Sequence, residues 1–275
     1  MHIQSKLTGG SAPIQKIKTF RKNTGKGDKA LEKALKQKKL IRGSSTYKKW
    51  ELKPGDLERG LEIKEQEQVR PITEKSIFCA GIYCILSASE DYPKQMRTYN
   101  RLMRKGFDSA EKMLSNLSGL EDILSITRFP NEKFKRVRGY SQWWLKSNIA
   151  EKIIADVKTG RKKEFEIRKE IAKNCPGLSY KGAALLLGKF GYQNVVPIDI
   201  WMLRFLRDNG YDVRVSDYKT VSGLKDSEYA GYERSFRNIA RKNGFTPMLY
   251  QCILWGKYSK WKKADKKHQK SLDLF

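Results

Sequence analysis

The sequence predicts an all-α protein, and three observations support this. Apolar residues recur at helical spacing over most of the chain beyond about Leu57, and the gaps between the apolar segments are short, as in helix bundles. Period-2 alternation is rare, and its best case, residues 211–215, is too isolated to build a sheet. No internal repeat of fixed period is found, so the 275 residues predict one large helical domain or two small ones.

The predicted helices can be taken in chain order. Residues 72–87 are apolar nearly all round, which predicts a central, buried helix. Residues 91–105 carry Met96, Tyr99 and Leu102 at helical spacing, which predicts an amphipathic helix. Further helices are predicted over 109–117, 120–126, 143–157 and 162–174.

The net charge indicates a polyanionic partner. The chain has 57 Lys and Arg against 30 Asp and Glu, a formal charge of +27, and such an excess favours nucleic acid. An anionic membrane is the weaker alternative, because no run of about 18 apolar residues is present. Residues 1–10 also lack the apolar core of a signal peptide. We therefore expect no membrane association, and a location in the cytoplasm, with the nucleoid, or wherever else DNA is accessible.

Residues 1–55 differ from the rest of the chain. They contain 15 Lys and Arg against three acids, 15 − 3 = +12, with few large apolar residues. Such a segment buries too little apolar area to offset its ordering entropy, so we expect a flexible basic arm that contacts phosphates; a solubilising tail is the alternative. Residues 56–260 are predicted to form the helical domain, and residues 261–275 a basic tail.

Metal centres are not expected. The four cysteines show neither a CxxC pair nor the spacing of an iron–sulfur cluster, and only His2 and His268 are present. The cysteines are predicted to be reduced and mostly buried or inert: they are Cys79, Cys84, Cys175 and Cys252.

The segment Cys-Pro-Gly-Leu-Ser-Tyr-Lys-Gly-Ala-Ala, residues 175–184, predicts a helical hairpin. A helix ending at Asn174 meets Pro176 and Gly177, which stop it and reverse the chain, and a second helix follows from Lys181 to Lys189. The unpaired N–H groups at the start of the second helix, with the helix dipole, would bind a phosphate without reading sequence. An ordinary corner between two helices is the alternative.

Asp199 follows the apolar run Val-Val-Pro-Ile, residues 195–198, and is predicted to open another helix as its N-cap. It lies 199 − 181 = 18 positions after Lys181, and Arg204 comes five positions later. An N-cap alone would account for the aspartate.

Together, these motifs resemble the helix-hairpin-helix DNA glycosylases, and the spacing from Lys181 to Asp199 is similar to that of endonuclease III and of the archaeal-type 8-oxoguanine glycosylase/lyases. The resemblance covers about residues 70–260. It implies two helical subdomains with the active-site cleft between them, and a monomer that acts on double-stranded DNA containing a damaged or modified base.

The resemblance also implies site residues. Lys181 would attack the sugar and Asp199 would be essential to catalysis, while the phosphate would lie against Gly177, Ser179, Tyr180 and Gly182. The four-Cys cluster of endonuclease III is absent, so no cofactor is expected, although a monovalent cation at the hairpin is compatible with the resemblance. The expected activity is base excision with associated AP-lyase chemistry, and an oxidised purine such as 8-oxoguanine is the best candidate base.

Residues 85–88, Ile-Leu-Ser-Ala, resemble the segment with which these enzymes approach the lesion. On that basis Ser87, Ser89, Tyr92 and Trp201 are candidates for the base pocket, or for a wedge that fills the gap left by a flipped base; packing in the core is the alternative for the two aromatic residues. Three positions depart from the family pattern: Ser179 replaces a glycine, Ser89 a glutamine and Trp201 a histidine.

A basic cluster near Phe129 and Pro130 is predicted to be a solvated face, with phosphate contact as the alternative; its members are Lys133, Lys135, Arg136 and Arg138. Three other functions remain open at this point. They are a glycosylase for modified bases of foreign (phage) DNA, a helix-hairpin-helix DNA- or RNA-binding protein without catalysis, and a ribosomal or other RNA-associated basic protein.

Overall fold

The computed structural model describes residues 51–213 and 224–258. The chain divides into two units, Met1–Leu40 and Ile41–Phe275, and all that follows concerns the second. The predicted basic arm lies almost wholly outside the described residues, and the predicted basic tail lies entirely outside them.

The described residues form twelve α-helices and contain no strand, which confirms the predicted all-α class. The helices are α1 (Pro54–Gln66), α2 (Glu74–Leu86), α3 (Tyr92–Arg104), α4 (Ala110–Ser115), α5 (Leu117–Leu124), α6 (Pro130–Trp144), α7 (Ile149–Lys158), α8 (Glu164–Asn174), α9 (Tyr180–Lys189), α10 (Ile200–Asp208), α11 (Asp226–Lys242) and α12 (Pro247–Tyr258). Of the alternating segment 211–215, the described residues 211–213 form no strand, and the rest lies outside the described ranges.

Helix α2 is the central helix that its apolar sequence predicts. It begins at a reciprocal cap, in which the Thr73 hydroxyl accepts from the Ser76 N–H at 3.1 Å and the Ser76 hydroxyl accepts from the Thr73 N–H at 2.9 Å. Every residue from Ser76 to Leu86 is buried. The helix is apolar all round because α3, α6, α7 and α9 pack around it.

The core consists of two main clusters of buried side chains. The larger one surrounds α2 and extends from Val69 to Val195. The second extends from Val196 to Leu254 and joins α10, α11 and α12. The boundary between them falls in the extended segment that leads to Asp199, so this residue lies where the two clusters adjoin.

One prediction about the middle of the chain was wrong, and one helix there was not predicted. Residues 143–157 do not form one helix: α6 ends at Trp144 and α7 begins at Ile149. The apolar pattern continues across the break because Trp144 and Ile149 belong to the same cluster. Helix α6 itself was not predicted; it begins at Pro130, where the fixed φ of proline suits the first helical turn.

The predicted solvated face on α6 is wrong for one of its members. Lys133 is buried, and its ammonium group contacts the Glu90 carboxylate at 2.8 Å, whereas Lys135, Arg136 and Arg138 are exposed. A lysine is buried only when such a partner is available.

All four cysteines are free and buried, as predicted. Burial raises the pKa of Cys79, Cys84 and Cys252 to about 12, so these thiols remain protonated. Within the described ranges, no cluster of side chains suits a metal ion. In the same ranges, no helix is long and apolar enough to cross a membrane.

Candidate active site

The hairpin between α8 and α9 has the predicted geometry. Helix α8 ends at Asn174, and Gly177 adopts the left-handed φ of +88° that an L side chain rarely takes. A Cβ atom at Gly177 would also lie 2.8 Å from Cβ of Arg136 in α6. Only glycine fits this turn, because both its backbone conformation and its close contact exclude a side chain.

The N-terminus of α9 presents free backbone donors. Its first intrahelical bond runs from the Ala183 N–H to the Ser179 carbonyl at 2.8 Å, and the Ser179 side chain caps none of the N–H groups. The N–H groups of Tyr180, Lys181 and Gly182 therefore have no partner within the helix. These donors and the positive end of the helix dipole suit a phosphate oxygen.

Lys181 is the second residue of α9, and its side chain is half-buried. Burial raises the pKa of Cys84 in α2 to about 12, and the charges of Lys189 and Lys181 act against this rise. The side chain of Lys181 therefore lies near the last turns of α2. Among the described residues, no carboxylate forms an ion pair with it.

Asp199 is the N-cap of α10, as predicted. Its Oδ1 accepts from the Trp201 N–H at 2.9 Å and from the Met202 N–H at 3.0 Å, and only 7% of the residue is exposed. Burial raises the pKa of Asp199, and the positive charge of Lys181 opposes this rise. The two predicted catalytic residues thus interact electrostatically across the boundary between the clusters.

The four pocket or wedge candidates lie in different surroundings. Ser87 caps the C-terminus of α2, and its hydroxyl donates to the Cys84 carbonyl at 2.7 Å. Ser89 is exposed, with a left-handed φ of +55°. Tyr92 lies in the first turn of α3, half-buried against the core. Whether these residues meet a base stays a prediction.

Trp201 lies in the first turn of α10, half-buried against the second cluster. The guanidinium group of Arg204 lies 4.9 Å from the centroid of its ring. Its role in the pocket also stays a prediction.

Phe129, which was not predicted as a site residue, is the most exposed aromatic residue among those that the structure describes. It is 62% exposed and has a left-handed φ of +55°. The neighbouring Arg128 N–H donates to the Glu90 carboxylate at 2.7 Å, which ties this turn to the one containing Ser89. The signal that could have identified it is the Phe-Pro pair ahead of a helix.

The sequence analysis also missed two polar residues of α11, Tyr229 and Glu233, which hydrogen-bond the segment before Asp199. Both lie on the buried face of an otherwise amphipathic helix, one turn apart. A buried tyrosine and glutamate at that spacing are a signal only once the burial of the face is known.

Comparison with known proteins identifies the family. The family model described as 8-oxoguanine DNA glycosylase matches residues 60–245. An 8-oxoguanine DNA glycosylase/AP lyase of Korarchaeum cryptofilum is 24% identical over 196 residues, which cover 71% of this chain and 86% of the relative.

Two solved structures share the fold. The 8-oxoguanine DNA glycosylase of Methanocaldococcus jannaschii superposes with a TM-score of 0.58 at 21% identity, over 82% of this chain and 95% of the other. The glycosylase/lyase of the same organism, in complex with 15mer DNA containing 8-oxoguanine, superposes with a TM-score of 0.54 at 18% identity, over 76% and 91%. The family model spans more than half of the chain, and the protein therefore belongs to the 8-oxoguanine DNA glycosylase family of the helix-hairpin-helix fold.

Proposed function

We propose that this protein excises 8-oxoguanine from duplex DNA and then cleaves the strand, with Lys181 as nucleophile and Asp199 as its acidic partner. The observation that supports the proposal is the position of the two residues: Lys181 is half-buried in the first turn of α9, and Asp199 is the buried N-cap of α10, where the charge of Lys181 opposes its raised pKa. An amine and a carboxylate are thus available near the free N–H groups at the start of α9.

The reaction requires the damaged nucleotide to leave the base stack. The Lys181 amine attacks C1′ of the sugar as the bond from C1′ to the base breaks, and the base departs with the bonding electron pair and takes up a proton. Asp199 accepts the proton that the amine loses, and its carboxylate stabilises the positive charge that develops on the sugar. Because burial raises the pKa of Asp199, the ionised carboxylate is a stronger base than an exposed one.

In the covalent product the C1′–O4′ bond then breaks and O4′ takes up a proton, which leaves a Schiff base between Lys181 and C1′ of the opened sugar. Loss of a proton from C2′ then allows the 3′ phosphate to leave by β-elimination, which cleaves the strand. An amine and a carboxylate suffice for both steps, so we propose that no metal or organic cofactor takes part in the reaction.

DNA is held in this proposal mainly through its phosphates. The free N–H groups at the start of α9 take one phosphate, a site at which a monovalent cation can assist. The exposed Arg136, whose Cβ lies beside Gly177, contacts another. Lys181 and Asp199 come from the same chain, which supports action as a monomer wherever DNA is accessible.

Borohydride reduction tests the proposal, since it traps a Schiff base as a covalent protein–DNA adduct. The substrates are duplexes that each carry one modified base, 8-oxoguanine among them, scored for abasic sites and for nicks. We expect an adduct and a nick on the 8-oxoguanine duplex. Excision only of a different modified base would overturn the substrate assignment, and binding without excision of any base would overturn catalysis.

A further inference from the structure

A buried ion pair joins the hairpin to α11. Arg168 lies in α8 and Glu233 in α11, and their side chains, only 7% and 2% exposed, form a salt bridge. Burying two charges carries a desolvation cost that the attraction between them often fails to recover, so such a pair is weak evidence for stability. The additional contacts of the two side chains point to another role.

Glu233 and Tyr229 hold the segment that precedes Asp199. Oε1 of Glu233 accepts from the Val196 N–H at 2.8 Å. The Tyr229 hydroxyl donates to the Val196 carbonyl at 2.7 Å and accepts from the Ile198 N–H at 3.0 Å. This segment belongs to neither helix nor strand, so its buried backbone groups need side-chain partners.

Arg168 also contacts the residue that precedes Lys181. Its guanidinium group lies 5.3 Å from the ring centroid of Tyr180 and 5.7 Å from that of Tyr229, within reach of a cation–π interaction. The rings of Tyr180 and Tyr229 are 5.5 Å apart. One cluster of side chains therefore contacts the backbone just before Asp199 and the ring of Tyr180, the residue just before Lys181.

We propose that Arg168, Glu233 and Tyr229 are positioning residues that set the distance between the Lys181 amine and the Asp199 carboxylate. None of them touches the reacting atoms. The inference rests on the roles proposed above for Lys181 and Asp199. A misplacement of about 1 Å in such a site costs on the order of 100-fold in rate. The three hydrogen bonds to residues 196–198 therefore affect the rate if they hold Asp199 in its position.

Three variants separate positioning from stability. Tyr229→Phe keeps the ring and removes the hydroxyl. R168M/E233L replaces the ion pair with apolar side chains, a change that folded proteins often tolerate, and R168M/E233Q restores an acceptor for the Val196 N–H through the amide oxygen of glutamine. Phe236→Leu is the matched control, because Phe236 is a buried core residue of the same helix.

The measurements are the single-turnover excision rate at saturating enzyme, the duplex Kd and the pH dependence of the rate. For Tyr229→Phe and R168M/E233L we expect rates lower by about 10- to 100-fold, with Kd within about twofold of wild type. R168M/E233Q is expected to recover part of the loss. Phe236→Leu is expected to melt at a lower temperature and keep the wild-type rate below it.

The pH dependence supplies a readout that reduced stability alone does not move. The groups facing Asp199 are Lys181 from α9, Tyr229 from α11 and the N–H donors of α10. If Lys181 moves away, its charge no longer opposes the raised pKa of Asp199, and the acidic limb of the rate profile moves to higher pH. Phe236→Leu is expected to keep the wild-type limb.

Two results would overturn the inference. One is a wild-type rate and acidic limb in both Tyr229→Phe and R168M/E233L. The other is a loss of rate in these two variants that Phe236→Leu reproduces, with no shift of the acidic limb of the pH–rate profile in any of the three. In either case an inactive Lys181→Gln would leave the proposed function standing, whereas a Lys181→Gln protein that still excises and is still trapped would remove the proposed function itself.

Discussion

Helix α9 carries two lysines, eight positions apart, that differ in burial and in ion pairing. Lys189 is buried, forms an ion pair with Glu67, and has its ammonium group 3.7 Å from the ring centroid of Tyr83. Glu67 is held in turn by the Tyr83 hydroxyl at 3.0 Å. Lys181, at the other end of the helix, is half-buried and has no ion-pair partner among the described residues, although it lies near Asp199.

In the proposed function, the surroundings rather than the residue type distinguish the structural Lys189 from the reactive Lys181. At Lys189 a carboxylate and an aromatic face contact the ammonium group and fix its position. At Lys181 the carboxylate is close enough to interact through its charge but does not hold the amine. In the proposed function Lys181 approaches a sugar carbon, whereas Lys189 cannot leave Glu67 without leaving a buried charge unpaired.

The largest expected effect comes from replacing each of the two lysines in a separate variant. Lys181→Gln is expected to abolish the borohydride adduct and strand nicking, because it removes the nucleophile. Lys189→Met is expected to retain the adduct and to lower the free energy of unfolding by about 2 kcal/mol, since it breaks a largely buried pair. Adduct yield and chemical denaturation measure the two effects.

This comparison fails if folded Lys189→Met forms no adduct while Lys181→Gln still does. The proteins need to be matched for folded fraction by circular dichroism before trapping. Otherwise the lower stability of Lys189→Met would be mistaken for a loss of the amine.

The next effect concerns the carboxylate beside Lys181. Asp199→Asn is expected to reduce excision by two or more orders of magnitude, about the scale of losing one charge-stabilising group, with the duplex Kd nearly unchanged. Asparagine is also a good N-cap. Nearly unchanged excision would instead mean that Asp199 serves only to cap α10.

Asp199→Asn also makes a prediction for stability. Because burial raises the pKa of Asp199 in the folded state, the unfolded chain ionises first as pH rises from about 3.8. The ionised carboxylate therefore destabilises the fold increasingly up to its raised pKa and fully above it. In thermal melts, the melting temperature of Asp199→Asn should rise relative to that of wild type as pH rises from about 3.8 to the raised pKa of Asp199. A difference in melting temperature that stays constant over this range would contradict the prediction.

A smaller effect tests whether Tyr92 or the exposed Phe129 fills the gap left by a flipped base. Phe129 is exposed on a turn, whereas Tyr92 is half-buried against the core. Phe129→Ala is expected to slow excision of a paired base about tenfold, since stacking on an aromatic ring is worth about 1–3 kcal/mol per base, and to leave the melting temperature unchanged. Tyr92→Ala is expected to lower mainly the melting temperature. The reverse result would make Tyr92 the wedge.

The smallest expected effect is on salt dependence. If Arg136 contacts a phosphate beside the hairpin, Arg136→Ala should reduce the slope of log K against log salt by about 0.9. It should weaken binding to damaged and undamaged duplexes by similar factors. Arg101→Ala is the control, because Arg101 is already paired with Asp122 at 2.9 Å. Equal slopes for the two variants would mean that Arg136 contacts no phosphate.

The sequence by itself determined the features that depend on residues close together in the chain. The Pro-Gly turn, the hairpin at 175–184 and the cap at Asp199 follow from local backbone chemistry, in which a glycine takes a left-handed φ and a carboxylate accepts from N–H groups two and three residues ahead. The central helix α2 follows from its all-round apolar composition.

Tertiary structure alone decided the features that depend on distant partners. The burial of Lys133 requires Glu90, 43 positions earlier, and the pairing of Arg168 requires Glu233, 65 positions later. Likewise, the spacing of apolar residues does not predict the break between α6 and α7, because the residues on both sides of it belong to one buried cluster. From sequence alone a charged side chain is predicted to be exposed, because burial without a partner of opposite charge costs more free energy than folding can offset. Only the fold shows whether such a partner is present.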